Sequence, residues 1–574
     1  LICTKIPAPY LARYFIPKAL CEGCLAQQRE KRTRFMHIKF VPRALVTGWS
    51  LLLGWGLWAQ PLQHPYTRND TTWYNREIGI TRYLIDIQEG DPQDAIRQAE
   101  RQGVDAEASF VQALAYAQLG EADQAMSFVT QSLQLRLPLS RYLVSGADYL
   151  LPLQTLPAFQ QQLAAWPTLV HGPMLGNLQA KAASVWLRTR GEQAVWVAWS
   201  RHPDLSRAKR KSGRSVAAHG YTATLTMESL KPQTRYYYQV GVADEVPGEV
   251  HAFTTPPAAG KPGRFDVVFG GGAAYIPWHH DMWSTIASHQ ADALFLLGDN
   301  VYIDYPERPY IQQYCYHRRQ SEAHWRRLVA QTPVYAIWDD HDFGKNDSYG
   351  GAQADSPAWK QDVLMHFKQQ WVNPGYGDAE GLPGVFFQHQ IGDVDFFFLD
   401  GRYYRQPSVV GQADAAPVRM LGTAQMRWLI HALGASTATF KVIISPVPWA
   451  VDAKAAMAGR VDTWGGYQEE RKELFDFLTA EDITGVFLLS ADRHRSDVWR
   501  IEREGAYPLY ELESSRLTNT HYHPIMPGSL FGYNQTNSFG KLVFDTTGKT
   551  PSVGYEIYSI NNELINRFPL PSLK

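Results

Sequence analysis

Over the second half of the chain, short apolar runs end repeatedly in polar clusters. "FDVVF" runs into Gly270–Gly272, "ALFLL" into Asp299, and "PVYAIW" into Asp339, Asp340, His341 and Asp342. "VDFFFL" runs into Asp400 and Arg402, and "ITGVFLL" into Asp492, Arg493 and His494. Each run has the length and the aromatic or β-branched content of a buried strand. Between them, "TAQMRWLIHALGAS" and "YQEERKELFDFLTA" place apolar residues at i, i+3 and i+4, the period of an amphipathic helix. Strands alternating with helices predict an α/β layered fold over residues 262–560. In such folds ligands gather at the carboxyl ends of strands, so clusters far apart in sequence are expected to converge.

The period changes upstream. Residues 170–256 carry "AVWVAWS" and "RYYYQVGV", aromatic and β-branched runs with strand character. "SLKPQTRYYYQV" resembles a stretch of fibronectin type III-like sandwiches, and "PPAAGKPG" reads as the linker that follows. Residues 68–166 are expected to be helical. Ala113, Tyr116, Gly120, Ala125, Phe128 and Leu133 stand at spacings that resemble the tetratricopeptide repeat, with a shorter echo at Gly90 and Ala95. A generic antiparallel helix pair would give the same pattern. Two copies are too few for a free-standing array, so these helices are expected to dock on a neighbour or bind a protein partner. They contain none of the strand-end clusters and are expected to be separable from the chemistry.

Residues 1–60 read as a leader. Within it, residues 36–59 resemble a signal peptide: His37, Lys39 and Arg43 precede an apolar stretch from Ala44 to Trp58. Ala59 is the candidate cleavage position, although Leu57 suits cleavage poorly and an uncleaved anchor is the alternative. A periplasmic, secreted or cell-surface location is expected, with no other membrane span.

Charge removes one class of function. The 574 residues hold 55 basic and 56 acidic side chains, a net charge of −1, so no basic field for nucleic acid is evident. Cysteines add little. Cys3, Cys21 and Cys24 lie in the leader, and Cys315 stands alone in the body, which excludes a disulfide framework there. Cys21 and Cys24 have zinc-like spacing but no second pair follows.

The chemistry therefore rests on the strand ends. A carboxylate at the end of a buried strand is costly unless something positive lies against it. Asp299, Asp340, Asp492 and His494 offer mostly oxygen with some imidazole nitrogen, a donor set suited to hard or borderline cations. Taken singly, each Asp also fits an N-cap or a turn.

"GDNVY", "AIWDDHDFG", "LDGRYYR", "SPVPWA", "SADRH" and "ELESSRLTN", in that order, resemble the alkaline phosphatase D (PhoD-like) family of metallophosphatases. The resemblance covers residues 170–560. It implies a four-layer metallophosphoesterase fold, hydrolysis of phosphate esters, and a metal centre combining iron with calcium. It implies Asp299, Tyr302, Asp340, Asp492 and His494 as metal ligands, with His341 beside the metals as the catalytic residue. Tyr302 fits a strongly Lewis-acidic ion, because a free phenol ionises only near pH ~10; it would equally serve as a packing residue. Arg402 is the candidate substrate-binding residue, with fixing Asp400 as the alternative role. The chain departs from the family where Gly272 replaces a frequent Cys, which opens the site to other divalent ions. The glycine run suits either close backbone approach or a tight turn, and Cys315 is a candidate replacement thiolate. A degenerate phosphatase domain acting as a scaffold through its helices is the alternative to an enzyme.

Overall fold

The computed structural model describes residues 71–377, 381–409, 416–454 and 461–571. Residues 36–59, the expected signal peptide, lie outside the described residues. Among those described, no helix is long and apolar enough to cross a membrane.

The first part is helical. Helices span Thr71–Gln88, Pro92–Gln102, Ala106–Gln118 and Ala122–Gln134, each packed on the next. Asp91 and Asp105 cap the second and third, accepting backbone N–H groups of Asp94 and of Glu107 and Ala108. Ala113 and Ala125 are fully buried where the third and fourth helices meet, and the Tyr116 ring stacks on Phe128 at 5.4 Å. The segment docks on the rest of the protein: Phe110, Leu114 and Tyr149 belong to one continuous apolar core with Phe295 and Trp338.

A two-sheet sandwich follows. β1 (Leu169–Gly176), β2 (Ala182–Thr189) and β5 (Thr222–Glu228) face β3 (Ala194–Ser200), β4 (Lys209–Arg214), β6 (Arg235–Val242) and β7 (His251–Thr254). In β6 the alternation is direct: Tyr236 and Tyr238 point inward onto Val197 and Phe253, while Arg235 is exposed. The sandwich is not a bead on a linker. β1 pairs in parallel with β10 (Val334–Ala336) through Gly176 and Val334, and the Tyr238 hydroxyl donates to the Ala330 carbonyl at 2.6 Å. One of its sheets is thus an extension of the catalytic sheet, which a linear reading of strand runs does not reveal.

The remaining strands are β8 (Arg264–Gly270), β9 (Ala293–Leu296), β11 (Phe387–Ile391), β12 (Val394–Phe398), β13 (Phe440–Ile444), β14 (Val486–Ser490), β15 (Ser496–Ile501), β16 (Leu509–Ser514), β17 (Phe531–Tyr533), β18 (Ser538–Asp545), β19 (Ser552–Ser559) and β20 (Leu564–Pro569). They form two sheets, in the orders β20-β19-β18-β8-β9-β10-β1-β2-β5 and β11-β12-β13-β14-β16-β15-β17. β8, β9 and β10 are mutually parallel, as are β12, β13, β14 and β16. The sheets meet face to face through aromatic rings: Phe295 of β9 lies 5.0 Å from Phe396 and 4.9 Å from Phe398 of β12. Each such buried ring contributes about 1.5–3 kcal/mol relative to exposure. Helices Asp281–Ser288 and Ala323–Val329 cover the first sheet, joined by Trp283 against Trp325 at 5.0 Å. Helices Gly422–Ala435 and Gln468–Ala480 cover the second through Leu429, Leu433, Leu474 and Leu478. The order is helix, sheet, sheet, helix, with the carboxyl ends of both parallel sets opening on one side.

Candidate active site

The turn after β9 delivers Asp299, and the turn after β10 delivers Asp340. The two turns touch. Gly298 has φ +117, and a Cβ on it would stand 2.5 Å from the Asp339 Cβ and 2.8 Å from the Asp339 nitrogen. Only glycine fits that crossing. Asp299, Asp492 and His494 sit at φ +53, +67 and +49, the left-handed region, at a cost of about 1–3 kcal/mol each. Such strain persists where the surroundings over-determine it, and here it falls on three of the expected ligands.

Asp299, Asp340 and His341 bring ligand atoms within 4.8 Å of one another. The Tyr302 hydroxyl donates to Asp299 Oδ2 at 3.0 Å and accepts from Asn519 Nδ2 at 2.6 Å. Among the described residues, Asp299 Oδ1 and His494 Nδ1 are buried without a hydrogen-bond partner. Burial, and after it the charges of Asp340, Asp339 and Asp342, pushes the Asp299 carboxyl well above the ordinary carboxylate range, against the pull of His341. Burial, with His523, His521 and Arg493 nearby, holds His494 well below its ordinary range, in the neutral form that ligates metals. Carboxylates crowded this closely repel one another, and positive charge placed among them lowers the cost of ionising them together. The unpartnered oxygen of Asp299, the neutral His494 and the phenol of Tyr302 form a donor set that fits metal ions.

Asp492 and His494 line the same cavity as Asp299, Tyr302, Asp340 and His341, a space of about 530 Å³. The structure therefore brings together all five expected ligands and the expected catalytic histidine. His341 Nδ1 lies 2.6 Å from Asp304 Oδ1, which fixes the ring and leaves its other nitrogen for the cavity. Burial opposes charge on His341, but Asp340, Asp299 and Asp304 outweigh it and hold the imidazole well above its ordinary range.

Arg402 stands elsewhere. It is fully buried, and its guanidinium is engaged on every side: Nε with Asp339 at 2.6 Å, both terminal nitrogens with Asp462 at 2.6 and 3.0 Å, and Asp340 at 3.6 Å. It does not line the cavity, so a substrate-binding role is corrected to a supporting one. It neutralises the carboxylates behind the site. Asp400 is a turn organiser whose carboxylate accepts from Trp338 Nε1 and from the backbone of Val385, Arg402 and Tyr403.

Gly272 is part of the frame. It lies at φ +70, its carbonyl accepts from the Thr518 and Asn519 N–H groups, and a Cβ on it would meet the Arg516 nitrogen at 3.0 Å and His494 Nδ1 at 3.3 Å. A side chain here would face His494. Cys315 is not a replacement ligand: it is buried in helix Pro309–Ser321, donates to the Tyr302 carbonyl at 3.4 Å, and does not line the cavity.

The far wall carries residues that the sequence analysis did not single out. Lys454 Nζ is 3.8 Å from Asp492, and Arg493 is 3.5 Å from it. Burial opposes, but Lys454 and Arg493 hold the Asp492 carboxyl below its ordinary range. His521 and His523 pack on His494 with ring centres 5.3 and 5.8 Å away. The signal for Asn519, His521 and His523 was present in "ELESSRLTN" and the "THYHP" that follows it. Lys454 lies in a loop without periodic pattern.

Fold and site together define an α/β metallophosphatase-type sandwich. Residues 267–524 match the family described as PhoD-like phosphatase, and residues 166–258 match a domain of unknown function (DUF7800). Alkaline phosphatase D of Bacillus subtilis (strain 168) is 22% identical over 371 residues, covering 58% of this chain and 62% of that protein. The chain thus spans less than two thirds of that relative's length. A solved structure of PhoD superposes with a TM-score of 0.56 at 15% identity, covering 70% of this chain and 92% of the other. The purple acid phosphatase PPD1 from yellow lupin (Lupinus luteus) seeds gives 0.51 at 12% identity, covering 70% and 74%. At these identities the structural likeness establishes the fold. The comparisons agree on a PhoD-like phosphatase domain over residues 267–524.

Proposed function

We propose that this protein is a metal-dependent hydrolase of phosphate esters, exported from a bacterial-type cell. The observation that carries the activity is the Asp299–Asp340–His341 cluster at one cavity with the cationic Lys454 and Arg493. Asp299, Tyr302, Asp340, Asp492 and His494 would hold the metals, with iron and calcium favoured by the family and other divalent ions admitted by Gly272. When bound, the metals supply the positive charge that activates water and draws the phosphoryl oxygens. The chain's own groups do the rest. Lys454 and Arg493 attract the anionic ester. His341, kept protonated by its carboxylate neighbours and aimed by Asp304, gives its proton to the leaving oxygen. Asn519 holds the Tyr302 hydroxyl against Asp299. Arg402, with Arg405, keeps the Asp462 carboxylate behind the site ionised.

The test is hydrolysis of p-nitrophenyl phosphate and bis(p-nitrophenyl) phosphate by the purified protein, before and after chelation. Activity that disappears with the metal and returns with it supports the proposal. Absence of turnover on both esters in fully metal-loaded protein contradicts it. Export rests on the segment 36–59, and cell fractionation with the full leader present tests it: protein confined to the cytoplasm would overturn it.

A further inference from the structure

Helix Pro309–Ser321, "PYIQQYCYHRRQS", is polar and yet buried: every residue from Tyr314 to Ser321 is 3% exposed or less. A polar helix is buried this deeply where its neighbours satisfy it. They do so on two faces.

One face meets the N-terminal helical segment, at helix Ala106–Gln118 and the short 3-10 turns Leu139–Tyr142 and Asp148–Leu150. The Tyr149 hydroxyl pairs with His317 Nδ1 at 2.9 Å. The Tyr314 hydroxyl donates to Glu107 at 3.1 Å, and Glu107 is clasped by the fully buried Arg141 at 2.7 and 2.9 Å. The Arg318 guanidinium lies 5.0 Å over the Tyr314 ring. The other face meets the active-site loops. Cys315 donates to the Tyr302 carbonyl, and four residues on, one turn further along the same face, Arg319 donates to the carbonyls of Ala273 and Ala274. Tyr302 carries the phenol beside Asp299, and the Ala273 N–H donates to the Asp299 carbonyl at 2.7 Å.

We propose that the N-terminal helices are a positioning element of the active site: Glu107 and Tyr149 fix helix Pro309–Ser321, which in turn fixes the backbone at Tyr302 and at Ala273–Ala274. This is the opposite of a segment separable from the chemistry. A buried helix bonded on both faces transmits a shift from one to the other, because close packing leaves no slack to absorb it. The inference rests on the proposed function only in taking Tyr302 and Asp299 as site residues.

The experiment uses the full chain and the variants Glu107→Gln, Tyr149→Phe and Phe128→Ala. Phe128 stacks on Tyr116 between the helices and carries no hydrogen-bonding group. Tyr149→Phe removes one hydroxyl and keeps the ring, so it stays informative if Glu107→Gln fails to fold. Amide hydrogen exchange is followed in residues 270–274 and 299–304. Tyr149→Phe is expected to speed exchange there about tenfold, the scale of one buried hydrogen bond, and Glu107→Gln, which also unpairs the buried Arg141, by at least as much; both are expected to lower kcat with KM little changed. Phe128→Ala is expected to lower Tm without moving either readout. Unchanged exchange in Tyr149→Phe and Glu107→Gln, or equal acceleration by Phe128→Ala, overturns the inference. Loss of the proposed function would show separately, as wild-type protein without metal or turnover, and leaves the exchange result standing.

Discussion

Asp304 Oδ1 and His341 Nδ1 stand 2.6 Å apart, beside Asp299 and Asp340, which face the cavity. Asp304 is therefore the group that orients His341. Asp304→Asn preserves the shape but removes one of the charges, after those of Asp340 and Asp299, that hold the ring protonated. A raised pKa means that the protonated form is present below that pKa and is lost as pH rises through it. Weakening the cause lowers the pKa, so the alkaline limb of kcat is expected to move to lower pH in Asp304→Asn. His341→Ala is expected to lower kcat by about 10²-fold or more with metal content kept. A pH–rate profile unchanged in Asp304→Asn would remove the pairing from the account.

Arg402 gives a second prediction, because burial separates support from substrate contact. Arg402→Met leaves Asp339 and Asp462 without their shared cation, and breaking a buried pair from one side costs about 3–5 kcal/mol. A lowered Tm and weakened metal retention are expected, measured by thermal unfolding and chelator competition. A variant with wild-type Tm and metal content but a raised KM would return Arg402 to the substrate.

The cationic wall makes the complementary prediction. Arg493→Gln is expected to raise KM and the inhibition constant of inorganic phosphate by about tenfold, the loss of one charge-assisted contact. Tm should change little. Unaltered phosphate inhibition would show that Arg493 does not face the phosphoryl group.

Gly298→Ala tests the crossing of the two ligand-bearing turns. The added carbon meets Asp339 backbone at 2.8 Å, where nothing flexible can yield. Loss of activity and a fall in Tm are expected together. A stable, active Gly298→Ala protein would mean that the turns are looser than described.

Much of this arrangement is written in the sequence, for a physical reason. A buried strand needs an apolar run, and a site at its carboxyl end needs polar residues directly after it, so Asp299, Asp340 and Asp492 announce themselves. The same signature at Arg402 is ambiguous, because sequence shows that a charge follows a strand but not whether it faces the cavity or the carboxylates behind it. Lys454 comes from a loop, which has no period to read. Helix Pro309–Ser321 looks like a solvated helix in sequence. Its burial depends on Glu107, Arg141 and Tyr149, more than 150 residues upstream, whose pairing no local pattern records. The shared sheet is equally hidden, since it turns on the single register of Gly176 with Val334.

The central claim is that Asp299, Tyr302, Asp340, Asp492 and His494 hold the metal on which phosphate-ester hydrolysis depends. Elemental analysis of active protein, set beside Asp299→Asn and Tyr302→Phe, tests it most directly. The account predicts two or more tightly held metal ions in the wild type and a loss of metal and turnover together in Asp299→Asn. If iron is among them, a phenolate-to-iron charge-transfer band should colour the wild type and vanish in Tyr302→Phe. Full hydrolytic activity in protein free of every tightly bound metal would contradict it.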